Sequence, residues 1–263
     1  MATVSVITIN YNGANELERT CLSVLKQTAS FEWVVIDGGS TDDSISIFRK
    51  FMQPTDILLS ERDDGISDAF NKGIAQASGD WVIFLNAGDE FAYPDSLAQL
   101  LAFSVASSAR WTAGAADILA EDGTHLFTRG YDGLKGNPWA LVRTNCRIVH
   151  QTVLAERSLF TEFGGYDPRW KVAMDYDLWI RWLKKGLTPA LTLIPVCRFY
   201  RGGTSGNPVR NHHEWAAVRA ANGVRNPWYL DTALLTLAHL KRLIRGRYGL
   251  RIYRLKERLG IRL

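Results

Sequence analysis

The chain has 263 residues, 46% of them apolar, which allows one large domain or two small ones around a sizeable core. Eight prolines and 22 glycines are ordinary, and no low-complexity tract or internal repeat is present. Three cysteines, Cys21, Cys146 and Cys197, are odd in number and far apart, which argues against a disulfide framework or a zinc site and fits a reducing compartment. The N-terminus has no basic stretch followed by an apolar one, so no signal peptide is expected. No stretch approaches the apolar length of a membrane-spanning helix. The net charge of +4 is unevenly spread. From residue 241 onward, nine basic residues face a single acid, Glu257, which gives that tail +8 and leaves −4 for the rest. Such asymmetry points to a negatively charged partner surface, lipid or nucleic acid.

Val4 to Asn10 (VSVITIN) reads as a buried strand. Residues 14 to 27 carry Leu17, Cys21, Val24 and Leu25 at helical spacing. Trp33 to Ile36 is a second strand, ending at Asp37-Gly38-Gly39, and Ser40 to Asp43 looks like a helix start. Asp56 to Leu59 is a short third strand, Ser67 to Ala77 a helix, and Trp81 to Leu85 a fourth strand. This alternation predicts a parallel sheet with right-handed crossovers. Residues 110 to 200 are less regular, with short strands, a loop over 121 to 137 and a helix from about 174 to 185. After the polar loop 202 to 207, Asn226-Pro227 is a helix start, followed by Leu230, Leu234, Leu237 and Leu240. Further on, Tyr248, Ile252, Leu255 and Leu259 form an apolar stripe flanked by Arg247, Arg251, Arg254 and Arg258.

Four acids stand where predicted strands or polar loops end: Asp37, Asp63, Asp89 and Asp175. Each has a plainer reading as a turn or cap residue. Three of them follow successive strands of one sheet, which would bring them to one crevice at the strands' carboxyl ends. No GxGxxG follows the first strand and no GxxxxGKS is present, so a nicotinamide or P-loop site is not expected. A phosphorylated ligand here would need a carboxylate-held ion, for which Mg²⁺ or Mn²⁺ is suited.

The ordered segments VSVITINYNG, VVIDGGSTDDS, SERDDGISDAFNKGIAQASGDWVIFLNAGDEF, HQTVLAERSLFTEFGGYD and AMDYDLWIRW resemble family 2 glycosyltransferases with a GT-A fold, over roughly residues 3 to 207. The resemblance implies an α/β fold, a single Rossmann-like nucleotide-sugar-binding domain with a mainly parallel central sheet. It would occupy residues 1 to 225, with a donor-binding half (1 to 109) and an acceptor-binding half (110 to 225), and a basic amphipathic helical tail over 226 to 263. By position, Tyr11 and Asp37 would contact the nucleotide base, and Asp63 would lie beside the nucleoside. Asn71 and Lys72 would lie on the helix beneath the donor. Asp89 would be the metal ligand of the family's Asp-x-Asp motif, His150 and Gln151 would line the acceptor side, and Asp175 would deprotonate the acceptor hydroxyl. The implied cofactor is Mn²⁺ or Mg²⁺. Asn86, Gly88 and Met174 depart from the family's frequent acids at those positions.

The reaction so implied is transfer, with inversion, from a nucleoside diphosphate sugar, by default a UDP-sugar, to a glycan or lipid-linked sugar in cell-surface polysaccharide synthesis. Asp175 and Asp177 are two apart on one helix and point to different faces, so Asp177 is left as cap or support. Read from the residues alone, both are first-turn acids favoured by the helix dipole. His150 also reads as a core residue, His212-His213-Glu214 as surface, and Trp170, Trp179 and Trp182 as core or as sugar platforms. The basic tail interleaves with Leu and Ile, not with spaced aromatics, and so suits an anionic membrane rather than nucleic acid. A cytoplasmic protein held on the membrane's inner face is expected. The alternatives are a non-catalytic basic membrane-binding module and a sugar nucleotidyltransferase.

Overall fold

The computed structural model describes residues 3–131, 136–201, 207–224, 226 and 229–240. The first half is built of β1 (Val4–Asn10), α1 (Ala14–Leu25), β2 (Glu32–Asp37), α2 (Ser44–Phe51), β3 (Ile57–Ser60), α3 (Ile66–Gln76) and β4 (Trp81–Phe84). The second half holds β5 (Glu90–Phe91), α4 (Ser96–Ser107), β6 (Trp111–Leu119), β7 (His125–Arg129), β8 (Val153–Glu156), α5 (Ser158–Glu162), α6 (Met174–Lys184), β9 (Ala190–Tyr200) and α7 (Pro208–Ala221). Short 3₁₀ turns lie at Pro138–Leu141 and His150–Thr152.

One sheet runs in the order β3-β2-β1-β4-β8-β6-β9-β5, with β7 paired to β6. β3, β2, β1 and β4 are all parallel. β8 pairs antiparallel with both β4 and β6, β6 and β9 are parallel, and β5 is antiparallel to β9. β1, β2 and β4 are buried on both faces because helices cover both, whereas the edge strand β3 is only half-buried. Period-two alternation sorts their side chains. Ile7, Val34 and Ile36 face one core, with Phe70 of α3 and Trp179 and Trp182 of α6. Val4, Val6, Trp33 and Val35 face the other, with Leu17, Cys21 and Val24 of α1 and Phe48 of α2. α3 lies so close on β1 that a Cβ at Gly73 would meet Ile7.

β1 has β2 on one side and β4 on the other, with α1 and α3 on opposite faces. The strand order therefore reverses between β1 and β4, the place beyond whose carboxyl ends open α/β sheets form their ligand crevice. The 10–13 and 85–89 segments border it.

The second half departs from the sequence reading at β7 and at the His212-His213-Glu214 triplet. The stretch read as a loop over 121 to 137 contains β7, which folds back on β6 through a tight turn with Gly123 at φ +81°. Residues 132–135 of that loop lie outside the described residues. Trp179 and Trp182 are core, the favoured of their two readings: Trp111 and Trp179 stack at 5.1 Å and 8°, Trp182 packs edge-on against Trp111, and Trp170 is half-buried against the same core. Of His212-His213-Glu214, read as surface, only His213 is exposed. His212 is buried against the Asp231 carbonyl at 3.1 Å, and Glu214 accepts the N–H groups of Val172 and Ala173, both at 2.8 Å, just before α6. The reason is α7 itself, which packs along α6 and so turns one side of this triplet inward.

Residues 229–240 are helical. Asp231 pairs at 2.6 Å with Arg219 of α7, a side chain only 1% exposed. The apolar and arginine stripes beyond residue 240 lie outside the described residues. Among the described residues no helix is long and apolar enough to cross a membrane.

Candidate active site

Asp37 ends β2 and is buried. Its Oδ1 accepts Asn10 Nδ2 at 2.8 Å and Ser40 Oγ at 2.5 Å. Its Oδ2 accepts the N–H groups of Gly39 and Ser40 and the Ser60 hydroxyl at 2.9 Å. Burial pushes the carboxyl up, but these hydrogen bonds outweigh it and hold the pKa below the usual carboxylate value. Asp37 thus knots together the ends of β1, β2 and β3, and Gly39 turns there at φ +80°.

Beside this knot the structure brings Tyr11 and Asp63 together across Gly38. A Cβ on Gly38 would lie 2.5 Å from Asp63 Oδ2 and 3.3 Å from the Tyr11 ring. The missing side chain leaves a cradle, and the Tyr11 ring, 66% exposed, forms one wall of it. Asp63 Oδ1 accepts the Gly65 N–H at 3.0 Å, which sets the chain's entry into α3. The next two expected donor residues carry other contacts. Asn71 exchanges two 2.8 Å hydrogen bonds with the backbone of Tyr166, so its amide pins the 163–166 segment to α3. Lys72 pairs with Glu61 at 2.8 Å and Asp68 at 3.1 Å and donates to the Arg62 carbonyl.

The turn after β4 is fixed by three hydrogen bonds from α1. Thr20 of α1 accepts the Gly88 N–H and donates to the Asp89 carbonyl, while Arg19 Nε donates to the Gly88 carbonyl at 2.8 Å. Gly88 sits at φ +101°, where a side chain is strained. Asp89 is buried, and its Oδ2 accepts Gln151 Nε2 at 2.5 Å. Burial pushes the Asp89 carboxyl up to about 7 against the opposing hydrogen bonds. Asn86 Nδ2 meets His150 Nε2 at 3.1 Å, and burial holds the His150 pKa down at about 4, so the ring is neutral at pH 7. The expected acceptor-side pair therefore lies directly against the Asp89 turn.

Three amide oxygens here, Asn10 Oδ1, Asn86 Oδ1 and Gln151 Oε1, are buried with no hydrogen-bond partner. Orphaned buried acceptors call for a donor or a cation. Among the described residues no cluster of three or more His, Cys, Asp and Glu could hold a metal. One carboxylate with neutral oxygen ligands still fits Mg²⁺ or Mn²⁺, which commonly take one or two carboxylates and complete the shell with water and substrate phosphate.

α6 presents the remaining acid. Asp177 is buried, paired to Arg181 at 2.8 Å and to Asn222 Nδ2 at 2.8 Å. Asp175 has no cationic partner among the described residues. It accepts its neighbour Tyr176's N–H at 2.7 Å and lies 3.8 Å from Cys146 Sγ. Burial pushes it up to about 6, and the Glu214 charge adds to that rise. Aromatic contacts run from here to the Asp89 turn. The Tyr166 hydroxyl feels the Asp175 charge, its ring packs on Phe70 at 4.8 Å, and Phe70 meets His150 at 5.5 Å. Sequence reading missed Asn10, Arg19, Cys146 and Glu214. Asn10 was the most legible of them, as a polar residue ending an apolar strand. The others are placed only by tertiary packing.

The family model described as Glycosyl transferase family 2 matches residues 5–118. An uncharacterized glycosyltransferase of Mycobacterium tuberculosis is 34% identical over 228 residues, covering 82% of this chain and 80% of its own length. A putative teichuronic acid biosynthesis glycosyltransferase of Bacillus subtilis is 29% identical over 191 residues, covering 70% of this chain and 73% of its own. Among solved structures, a mannosyltransferase from Pyrobaculum calidifontis in complex with GDP-Man and Mn²⁺ superposes with a TM-score of 0.66 at 17% identity, covering 98% of this chain and 80% of that one. At that identity the likeness shows the fold, and it agrees with the GT-A architecture read here. The relationship at 34% identity over four-fifths of both chains, with the family-model match, shows the family: the chain belongs to the family 2 glycosyltransferases.

Proposed function

We propose that the chain is an inverting, metal-dependent glycosyltransferase. It takes a nucleoside diphosphate sugar, a UDP-sugar in the first instance, and glycosylates a hydroxyl of a glycan or lipid-linked sugar in cell-surface polysaccharide synthesis. The observation that carries this reading is the contrast on α6. Asp177 is locked in an ion pair, whereas Asp175 has no cationic partner among the described residues and a carboxyl pushed up to about 6. A general base working near pH 7 needs that kind of tuning.

In this reading the base stacks at Tyr11 over the Gly38 cradle, with Asp37 holding the loop and Asp63 beside the nucleoside. The acceptor hydroxyl attacks the anomeric carbon from the Asp175 side. Its oxygen bonds to that carbon as the bond to the diphosphate oxygen breaks, the proton passes to an Asp175 carboxylate oxygen, and the nucleoside diphosphate leaves with the bonding pair. Asp89, with the amide oxygens of Gln151 and Asn86, would hold the Mg²⁺ or Mn²⁺. When bound, that ion would offset the charge growing on the leaving diphosphate. Neutral His150 keeps Asn86 in place and adds no positive charge. Membrane recruitment by the basic tail would bring the enzyme to a lipid-linked acceptor at the cytoplasmic face.

The test is the anomeric configuration of the product. Nucleoside diphosphate sugars are screened for nucleotide release in the presence of candidate acceptors, and the transferred sugar is read by NMR. An α-linked donor giving a β-linked product supports single displacement. Retention of configuration would contradict it.

A further inference from the structure

A nucleoside diphosphate brings several negative charges to a crevice whose named residues are mostly acidic or neutral. Lys72, the cation on α3, is already engaged by Glu61 and Asp68. A second cation touches the Asp89 turn. Arg19 reaches over from α1, its Nε bonded to the Gly88 carbonyl at 2.8 Å and its guanidinium lying 4.1 Å over the Tyr200 ring. Tyr200 is itself tied to the turn, its N–H donating to Asp89 Oδ1 at 3.4 Å and its hydroxyl to Glu90 at 3.0 Å. One edge and one face of the guanidinium are therefore held. Neither Nη group donates a hydrogen bond to a described residue. A planar fork with one edge fixed and the other free is well suited to bidentate phosphate binding.

Gly88 sharpens the argument. A Cβ there would lie 3.3 Å from Arg19 Nη2 and 3.4 Å from Glu16 Cβ. Arg19 thus fills the space into which a side chain at position 88 would project. The chain thus sets a cation beside the turn, close enough for its charge to act on the Asp89 carboxyl. An extra acid would draw a metal more tightly. A cation there weakens that draw and attracts the diphosphate directly.

We propose that Arg19 is a donor-binding residue whose free guanidinium edge takes an oxygen of the donor's diphosphate, so that part of the charge neutralisation comes from the protein and needs no metal. This rests on the donor class proposed above. Arg19 lies against Tyr200, the last residue of β9, so the side chain that would meet the diphosphate is already held on the far face.

The experiment compares UDP and GDP with uridine and guanosine, in EDTA and in Mn²⁺. Calorimetry serves for the diphosphates and ligand-observed NMR for the nucleosides. The wild type is set beside Arg19→Gln and Arg19→Lys, with the thermal midpoint of each taken alongside. In EDTA the wild type is expected to bind a diphosphate more tightly than its nucleoside. Arg19→Gln should weaken the diphosphate by roughly 10- to 100-fold, the worth of a charge-assisted hydrogen-bond pair, and leave the nucleoside unchanged. Arg19→Lys should fall between them, and it decides the matter if the Gln variant does not fold. Equal losses for diphosphate and nucleoside, or no loss for either, would overturn the proposal and leave Arg19 as a clamp on the turn. A wild type that binds no nucleoside diphosphate in either condition would sink the donor reading, and Arg19's role with it.

Discussion

On the first turn of α6 two carboxylates stand two positions apart in opposite surroundings. Asp177 has both oxygens paired, to Arg181 and Asn222, and Asp175 lies beside a thiol and a single backbone N–H. Asp175→Asn keeps the shape and removes the basicity. It is expected to cut turnover by about 10² to 10⁴, with donor affinity little changed. Asp177→Asn should lose far less turnover and instead about 1–3 kcal/mol of stability, since it removes a buried charge-assisted bond. If Asp177→Asn proves the inactive variant, the base is misassigned. The pH dependence follows from the same burial. With its pKa raised to about 6, Asp175 is ionised only above that value, so wild-type turnover should fall as pH drops through about 6. A carboxyl whose folded pKa lies above its unfolded one favours the fold while protonated. Its contribution is complete below the unfolded value and is lost as pH rises through about 6. Asp175→Asn should therefore melt higher than wild type at pH 8, by about 1–3 kcal/mol, a gap that closes near pH 4. Melting curves at the two pH values test this, and a variant less stable than wild type at pH 8 would contradict it.

Arg219 shows how one element can hold several others. It sits on α7, almost fully buried, and its guanidinium pairs with Asp231 and donates to the Thr144 carbonyl and the Tyr176 hydroxyl. Tyr176 in turn donates to the Val142 carbonyl. The helix over 229–240 is thereby tied to α6 and to the segment that carries Cys146. A boundary at residue 225, natural from the change in sequence character, cuts across this buried pair. A chain ending at 224 should lose about 3–5 kcal/mol, the usual cost of leaving one partner of a buried ion pair alone. A chain ending at 240 keeps the pair and should melt like the full protein. Both lack the basic run that starts at Lys241, so both should fail to pellet with anionic liposomes. Equal melting of the two truncations would separate 226–240 from the fold. Pelleting of the chain ending at 240 would move the membrane contact off the tail.

Across the whole molecule, the half built from local alternation was the legible half. β1 spans Val4–Asn10 as read, and β2 to β4 fall within a residue or two of their expected places because each is an apolar run closed by polar residues. The acids at those strand ends, Asp37, Asp63 and Asp89, were visible for the same reason. β7 was hidden by its mixed polar sequence, which only pairing with β6 turns into a strand. Asn71 gave no hint that its amide would be taken up by Tyr166, 95 residues away, nor Gln151 that it would bond Asp89 across 62 residues. Such contacts depend on how β8 and the 163–166 segment pack, and periodicity does not record that. The central claim is that this crevice binds a nucleoside diphosphate through a divalent ion on Asp89. The most direct measurement is a thermal-shift titration of UDP and GDP, each with and without Mn²⁺, on the wild type and Asp89→Ala. One nucleotide should raise the wild-type midpoint more with Mn²⁺ than without, since a ligand bound only by the folded state stabilises it by mass action, and Asp89→Ala should lose the Mn²⁺-dependent part. An undiminished Mn²⁺-dependent shift in Asp89→Ala, or no nucleotide shift in the wild type, would contradict the account.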